Sequence, residues 1–115
     1  MKTDPFIYLE FIRRILLPMP GVTEGTAYGT PAFHVKKKFM LRLKEDNETL
    51  AVYNEEREKW IGKDPDVFFV TAHYLNYPFV LVNLAKVEPA DLEQLLIDAW
   101  FYRAPVALVK AYKGG

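Results

Sequence analysis

Tyr28-Gly29-Thr30-Pro31-Ala32-Phe33-His34-Val35-Lys36-Lys37-Lys38-Phe39-Met40-Leu41-Arg42-Leu43-Lys44 is the stretch on which the fold turns. Phe33 and Val35 alternate with Ala32 and His34, and Phe39, Leu41 and Leu43 alternate with Met40, Arg42 and Lys44. A period of two sends one set of side chains into a core and the other toward solvent, so it predicts two strands. Lys36 to Lys38 then form a hairpin tip, and Arg42 and Lys44 extend its positive charge along the outward face. Pro31 sits at the opening of its strand, where no ladder donor is missed.

Outward from this hairpin, the pattern predicts strands over Thr23 to Tyr28, Pro31 to Val35, Phe39 to Lys44 and Thr49 to Tyr53. The turns between them are Gly29-Thr30, Lys36 to Lys38, and Glu45 to Glu48. Connections this short join only antiparallel neighbours, so the strands form a meander. Upstream, Asp4 as N-cap and Pro5 at the first helical position start a helix running to Leu17. Ile7, Phe11 and Ile15 fall on one stripe of it, before Pro18 and Pro20 stop it.

Downstream, Asn54 is placed to cap a short helix that turns Trp60 and Ile61 inward and ends at Gly62. Asp64-Pro65 opens a further helical turn through Phe68. Phe79 to Leu84 is apolar on both faces, as a central or helix-covered strand would be. Pro89 begins the closing helices, where Leu92, Leu95, Leu96, Ala99 and Trp100 keep a 3.6-residue period, and Pro105 divides that region in two. The fold class is therefore α+β: an antiparallel meander with the N- and C-terminal helices packed on one face.

The chain has 115 residues, 50% of them hydrophobic and 15% aromatic, which suits one domain over residues 1–115 with a real core. There is no cysteine, which removes disulfides and thiolate metal sites and is compatible with a reducing cytoplasm. The longest apolar run is strand-sized, and charges interrupt the N-terminal region, so neither a membrane span nor a signal peptide is expected. Net charge is +0, unlike that of a dedicated nucleic-acid binder. The charge is divided, however: Met1 to Lys44 holds 8 Lys/Arg against 3 Asp/Glu, and Glu45 to Gly115 holds 7 against 12. Such a division gives either a polarised surface or, after folding, a mixed one.

Pro20-Gly21-Val22-Thr23-Glu24, Pro31-Ala32-Phe33 and Lys38-Phe39 resemble the opening of the MmcQ/YjbR family. Phe68-Phe69-Val70-Thr71-Ala72-His73-Tyr74-Leu75-Asn76-Tyr77-Pro78 is similar to its middle segment, and Ala99-Trp100 with Arg103-Ala104-Pro105 to its C-terminal helices. The resemblance implies a fold like that of CyaY and frataxin, an antiparallel sheet with helices on one face. Members of the family are commonly labelled DNA-binding, on the idea that β-hairpin wings approach the duplex. Frataxins hold iron with a run of acidic residues on the first helix and strand. Here those elements offer only Asp4, Glu10 and Glu24, so iron binding is not carried over.

Two groups of residues are candidates for a site. Lys36, Lys37, Lys38, Arg42 and Lys44 are close enough to contact several phosphates of double-stranded DNA, weakly and with little sequence preference, since backbone contacts carry no sequence information. The plain alternative is a solvated turn guarding a sheet edge. Thr71, His73, Tyr74 and Tyr77 gather hydroxyls, an imidazole and aromatic faces in one loop, fit for a small ligand or a protein contact. There the plain alternative is tyrosines packed on the sheet with His73 and Thr71 satisfying the backbone.

No catalytic residue is singled out. The sequence lacks serine, its glycines are scattered, and His34 and His73 with Glu24 show no metal-ligand spacing. The expectation is a monomeric, cytoplasmic, non-enzymatic binding protein without a cofactor.

Overall fold

The computed structural model describes residues 5–114, so the capping role expected of Asp4 lies outside the described residues. Helix α1 (Pro5–Leu16) leads into strands β1 (Val22–Ala27), β2 (Thr30–Val35), β3 (Lys38–Leu43) and β4 (Thr49–Tyr53). Helix α2 (Arg57–Lys63), strand β5 (Phe68–Phe69), a single 3-10 turn (Ala72–Tyr74) and strand β6 (Phe79–Asn83) follow. Helices α3 (Pro89–Arg103) and α4 (Val106–Gly114) close the fold.

All six strands form one antiparallel sheet in the order β1-β2-β3-β4-β6-β5, so the expected α+β class holds. The four-strand meander is as the alternation predicts, with β4 at its expected bounds. The last two strands extend it: β6 pairs with β4 on one side and with β5 on the other. Phe68 therefore belongs to a strand, where the sequence suggested a helical turn. The turn ahead of it covers Pro65 to Val67, with the Asp64 carbonyl accepting the Val67 and Phe68 N–H groups at 3.1 and 2.9 Å and the Asp64 carboxylate accepting the Asp66 N–H at 3.0 Å.

Helices α1 and α3 pack together across one face of the sheet. Ile12 and Leu16 of α1 and Leu95, Leu96, Ala99 and Trp100 of α3 meet Phe33, Val35, Leu41, Leu43, Leu50, Val52, Val80 and Val82 from the strands. Trp100 is fully buried, yet its indole N–H is satisfied by the Pro20 carbonyl at 2.8 Å, which ties α3 to the turn before β1. The opposite face carries a second, smaller cluster of Ala51, Leu81 and Tyr74, covered by the loop after β5.

Strict alternation fails at one place, and it changes what the outer face displays. Phe33 pairs with Leu41, but the next residue, His34, pairs with Phe39, leaving Met40 as an extra residue in β3. This is a β-bulge. Met40 joins the helix-covered core, and Phe39, expected inside, turns to the outer face beside His34.

Both hairpins of β1-β2-β3 close with two-residue turns. Tyr28 and Gly29 have φ of 54° and 78°, and Lys36 and Lys37 have φ of 47° and 72°. Positive φ at both central residues is the geometry that matches the twist of the flanking strands, and it normally selects Asn or Gly. The Lys36-Lys37 turn uses neither. Gly21, also at positive φ (76°), accepts the Lys36 N–H at 3.1 Å, and a Cβ on it would meet the Lys36 stem at 3.2 Å.

Candidate functional site

The outward-facing positions of the strands form rows across the sheet, because paired residues share a face. Nearest the Lys36-Lys37 tip, one row holds Thr23, His34 and Phe39, paired across β1, β2 and β3, and Tyr53 and Phe79, paired across β4 and β6, with ring contacts joining the two parts. Four of its five members are aromatic rings. His34 and Phe39 meet edge to face at 5.5 Å, Phe39 reaches Phe79 across β4 at 5.7 Å, and Tyr53 meets Phe79 at 5.6 Å. All four rings are half-buried, and Phe39 and Tyr53 belong to neither apolar cluster.

The next row, Gly25, Ala32, Arg42, Ala51, Leu81, is mostly small. Arg42 lies in it and is only 7% exposed, so it does not project into solvent as the alternation suggested. Its guanidinium sits 5.0 Å from the ring centre of the largely exposed Tyr28, donates to the Thr30 hydroxyl at 3.1 Å and faces Glu45 at 3.4 Å, while Nε is buried without a partner. Small neighbours let a long side chain lie down on the sheet, and the alternation pattern does not register that.

The five basic residues read from the sequence therefore separate. Lys36, Lys37 and Lys38 are exposed together at the tip. Lys44 stands at the other end of β3, half-buried, with its ammonium 5.2 Å from the Tyr74 ring centre. The acidic turn Glu45 to Glu48 is at that far end too, roughly 20 Å from the tip at about 3.4 Å per residue along β3. It does not crowd the lysines.

A shallow cleft of about 540 Å³ adjoins the tip, lined by Gly21, Thr23, His34, Lys36 and Lys37. A further cation, which the sequence reading did not single out, flanks the aromatic row. Arg103, the last residue of α3, donates from Nε to the Phe39 carbonyl at 2.9 Å and places its guanidinium 4.4 Å from the Tyr53 ring centre. A basic residue ending a helix is a weak hint, since the macrodipole favours one there in any protein.

Beyond Tyr53 the charge reverses. The Tyr53 hydroxyl donates to Glu55 at 2.8 Å, and the Tyr102 hydroxyl donates to Glu56 at 3.4 Å. Burial first, then the Glu55 hydrogen bond, pushes the Tyr53 phenol above its ordinary value, and burial and Glu56 do the same for Tyr102. The basic end of the platform is thus the β1-β2-β3 side.

The loop from Thr71 to Tyr77 is arranged differently from a pocket. Tyr74 is buried on Ala51 and Leu81, whereas Thr71, His73 and Tyr77 are exposed; the His73 ring meets that of Tyr74 edge to face at 4.9 Å, and Thr71 and Tyr77 join Tyr74 through backbone hydrogen bonds of 3.0 Å each. What shapes the loop is Arg57, from the start of α2. Its guanidinium donates to the backbone carbonyls of Tyr74 (3.0 Å), Tyr77 (2.6 Å), Phe79 (3.1 Å) and Leu75. Beside it, Asn54 is 1% exposed: its side-chain oxygen accepts the Glu56 N–H at 2.8 Å, and its Nδ2 has no partner. Asn54 thus makes an Asx turn ahead of α2.

Among the described residues no three carboxylate or imidazole side chains gather as a metal site would require, and no helix is long and apolar enough to cross a membrane. The fold and site define a small α+β chain with one open, aromatic and basic sheet end. It belongs to the YjbR family, whose family model matches residues 17–101. A 52-residue stretch is 48% identical to uncharacterised proteins of Mycobacterium tuberculosis and Mycobacterium bovis. That stretch is 45% of this chain, and it spans 40% of the length of each of those curated relatives. No solved structure matches this chain, so the likeness to CyaY and frataxin rests on the family resemblance.

Proposed function

We propose that this chain binds nucleic acid through phosphate contacts at the β2-β3 hairpin tip, with little sequence preference and no catalysis of its own. One observation carries the reading. Other cations without a carboxylate partner are scattered over the chain, whereas Lys36, Lys37 and Lys38 stand exposed side by side on one hairpin turn, with no carboxylate at ion-pair distance among the described residues. Three unneutralised ammonium groups on one turn suit a polyanion, and each phosphate contact releases condensed counterions.

Replacing all three lysines with glutamine tests this by fluorescence anisotropy on labelled nucleic acid. Affinity is expected to fall about equally for unrelated sequences. The slope of log affinity against log salt should become shallower by up to about three, close to one per lost contact. Thermal stability should move by no more than about 0.5 kcal/mol, since the changed side chains are on the surface. No binding at low salt, or an unchanged slope, overturns the reading.

A second reading is a small-ligand or protein contact at the Thr71 to Tyr77 loop. It draws on the unpartnered Asn54 Nδ2 beside a cleft of about 430 Å³ between residues 54–58 and 75–78. Binding there would be nearly insensitive to salt.

A further inference from the structure

We infer that the nucleic acid is single-stranded, and that its bases stack on the outer-face row His34-Phe39-Phe79 while its phosphates meet Lys36, Lys37, Lys38 and Arg103. This rests on the function proposed above and adds the class of substrate and the surface that reads it.

The bulge at Met40 is the first support. It turns Phe39 out of the core into a position where its ring meets two other aromatics, His34 at 5.5 Å and Phe79 at 5.7 Å. Phenylalanine half-open to water on an outer sheet face gains little for the fold. As a stacking surface it suits any unpaired base, because every base has a π-face.

The second support is placement. The row ends against the cleft holding Thr23, His34, Lys36 and Lys37, and on its helix side Arg103 is hydrogen-bonded to the Phe39 backbone. Cations thus flank the rings on two sides. Sheets that present aromatics in this way accommodate roughly two or three bases. A duplex keeps its bases stacked inside, where none of these rings could reach them. The carboxylates Glu55 and Glu56, bound to Tyr53 and Tyr102, repel phosphate and limit the footprint to the β2-β3 side.

The test uses the full chain, a labelled oligo-dT and a labelled duplex of equal length, at several salt concentrations. Oligo-dT is expected to bind more tightly than the duplex. Phe39→Leu, which keeps apolar bulk but removes the π-face, should weaken oligo-dT binding about tenfold, on the scale of one stacking contact, with the salt slope unchanged. The lysine-to-glutamine variant should change the slope instead. Proton NMR gives a readout independent of affinity: His34 imidazole resonances should shift with oligo-dT more than those of His73, whose ring lies one contact further out, reaching the row through Tyr74 and Phe79. Equal binding of duplex and oligo-dT with Phe39→Leu unaffected overturns the stacking inference and leaves the phosphate reading standing. No binding of either overturns both.

Discussion

Arg57 and Tyr77 are twenty residues apart in sequence, and the guanidinium of the first donates to the carbonyl of the second at 2.6 Å. The same guanidinium reaches three more carbonyls of that region. One side chain thereby gathers four backbone carbonyls of a short, irregular loop. It adds to the loop's own hydrogen bonds at Tyr74 and Tyr77, whose carbonyls also accept the Tyr77 and Phe79 N–H groups at 3.0 and 2.8 Å. Arg57→Lys keeps the charge but replaces a planar fork with a single ammonium. It should loosen the loop: amide exchange across residues 72–79 is expected to accelerate while β2 and β3 stay protected. Global stability should fall by roughly 0.5–1.5 kcal/mol, the net worth of a hydrogen bond between groups that water can still reach. Unchanged exchange in the loop would show that the carbonyl clamp is dispensable.

The Lys36-Lys37 turn holds two non-glycine residues at positive φ. The left-handed region costs roughly 1–2 kcal/mol per ordinary residue. The double variant Lys36→Asn/Lys37→Gly should therefore raise the urea midpoint, by a gain on the order of 1–2 kcal/mol after loss of the Lys36 stem contact near Gly21. The same variant should weaken nucleic-acid binding. A more stable, weaker-binding protein would mark this turn as strain retained for its charge.

Arg13 donates twice to Glu24, at 2.8 Å each, and this holds the Glu24 carboxyl below the usual carboxylate range. A depressed folded-state pKa gives stability that is present above the unfolded value, about 4.3, and is lost as pH falls through the folded one. Glu24→Gln should accordingly be less stable than wild type near neutrality, with the two melting temperatures converging below about pH 4. Both partners are partly exposed, so added salt should shrink the difference at neutral pH. A gap that persists at low pH would mean that the variant loses packing rather than the ion pair.

The sequence made the meander legible because its strands keep a period of two, and it made α3 legible because Leu92, Leu95, Leu96 and Ala99 keep the helical one. Strand β5 escaped notice because two residues cannot show a period. The bulge left no trace, since Phe39-Met40-Leu41 is apolar throughout and a one-residue slip leaves its hydropathy unchanged. With the bulge hidden, the aromatic row was hidden too, as its members are scattered over residues 34–79. The lysines at the tip were plain from their position in a turn. The burial of Arg42 was not, because it depends on Ala32 and Ala51 from two other strands. Arg57 and Arg103 act on backbone carbonyls, which are the same for every residue type and so leave no pattern to read.

Glu24 sits on the helix side of β1, opposite Phe33, at the open edge of the sheet. A foreign strand docking there would have to cover a carboxylate and the guanidinium that neutralises it, and would meet a strand weakened by Gly25. At the other edge β5 offers only two residues for pairing. An inward-facing charge at one border and a very short strand at the other are both devices that discourage edge-to-edge aggregation. The sheet can therefore keep an apolar, aromatic outer face without being extended by its neighbours.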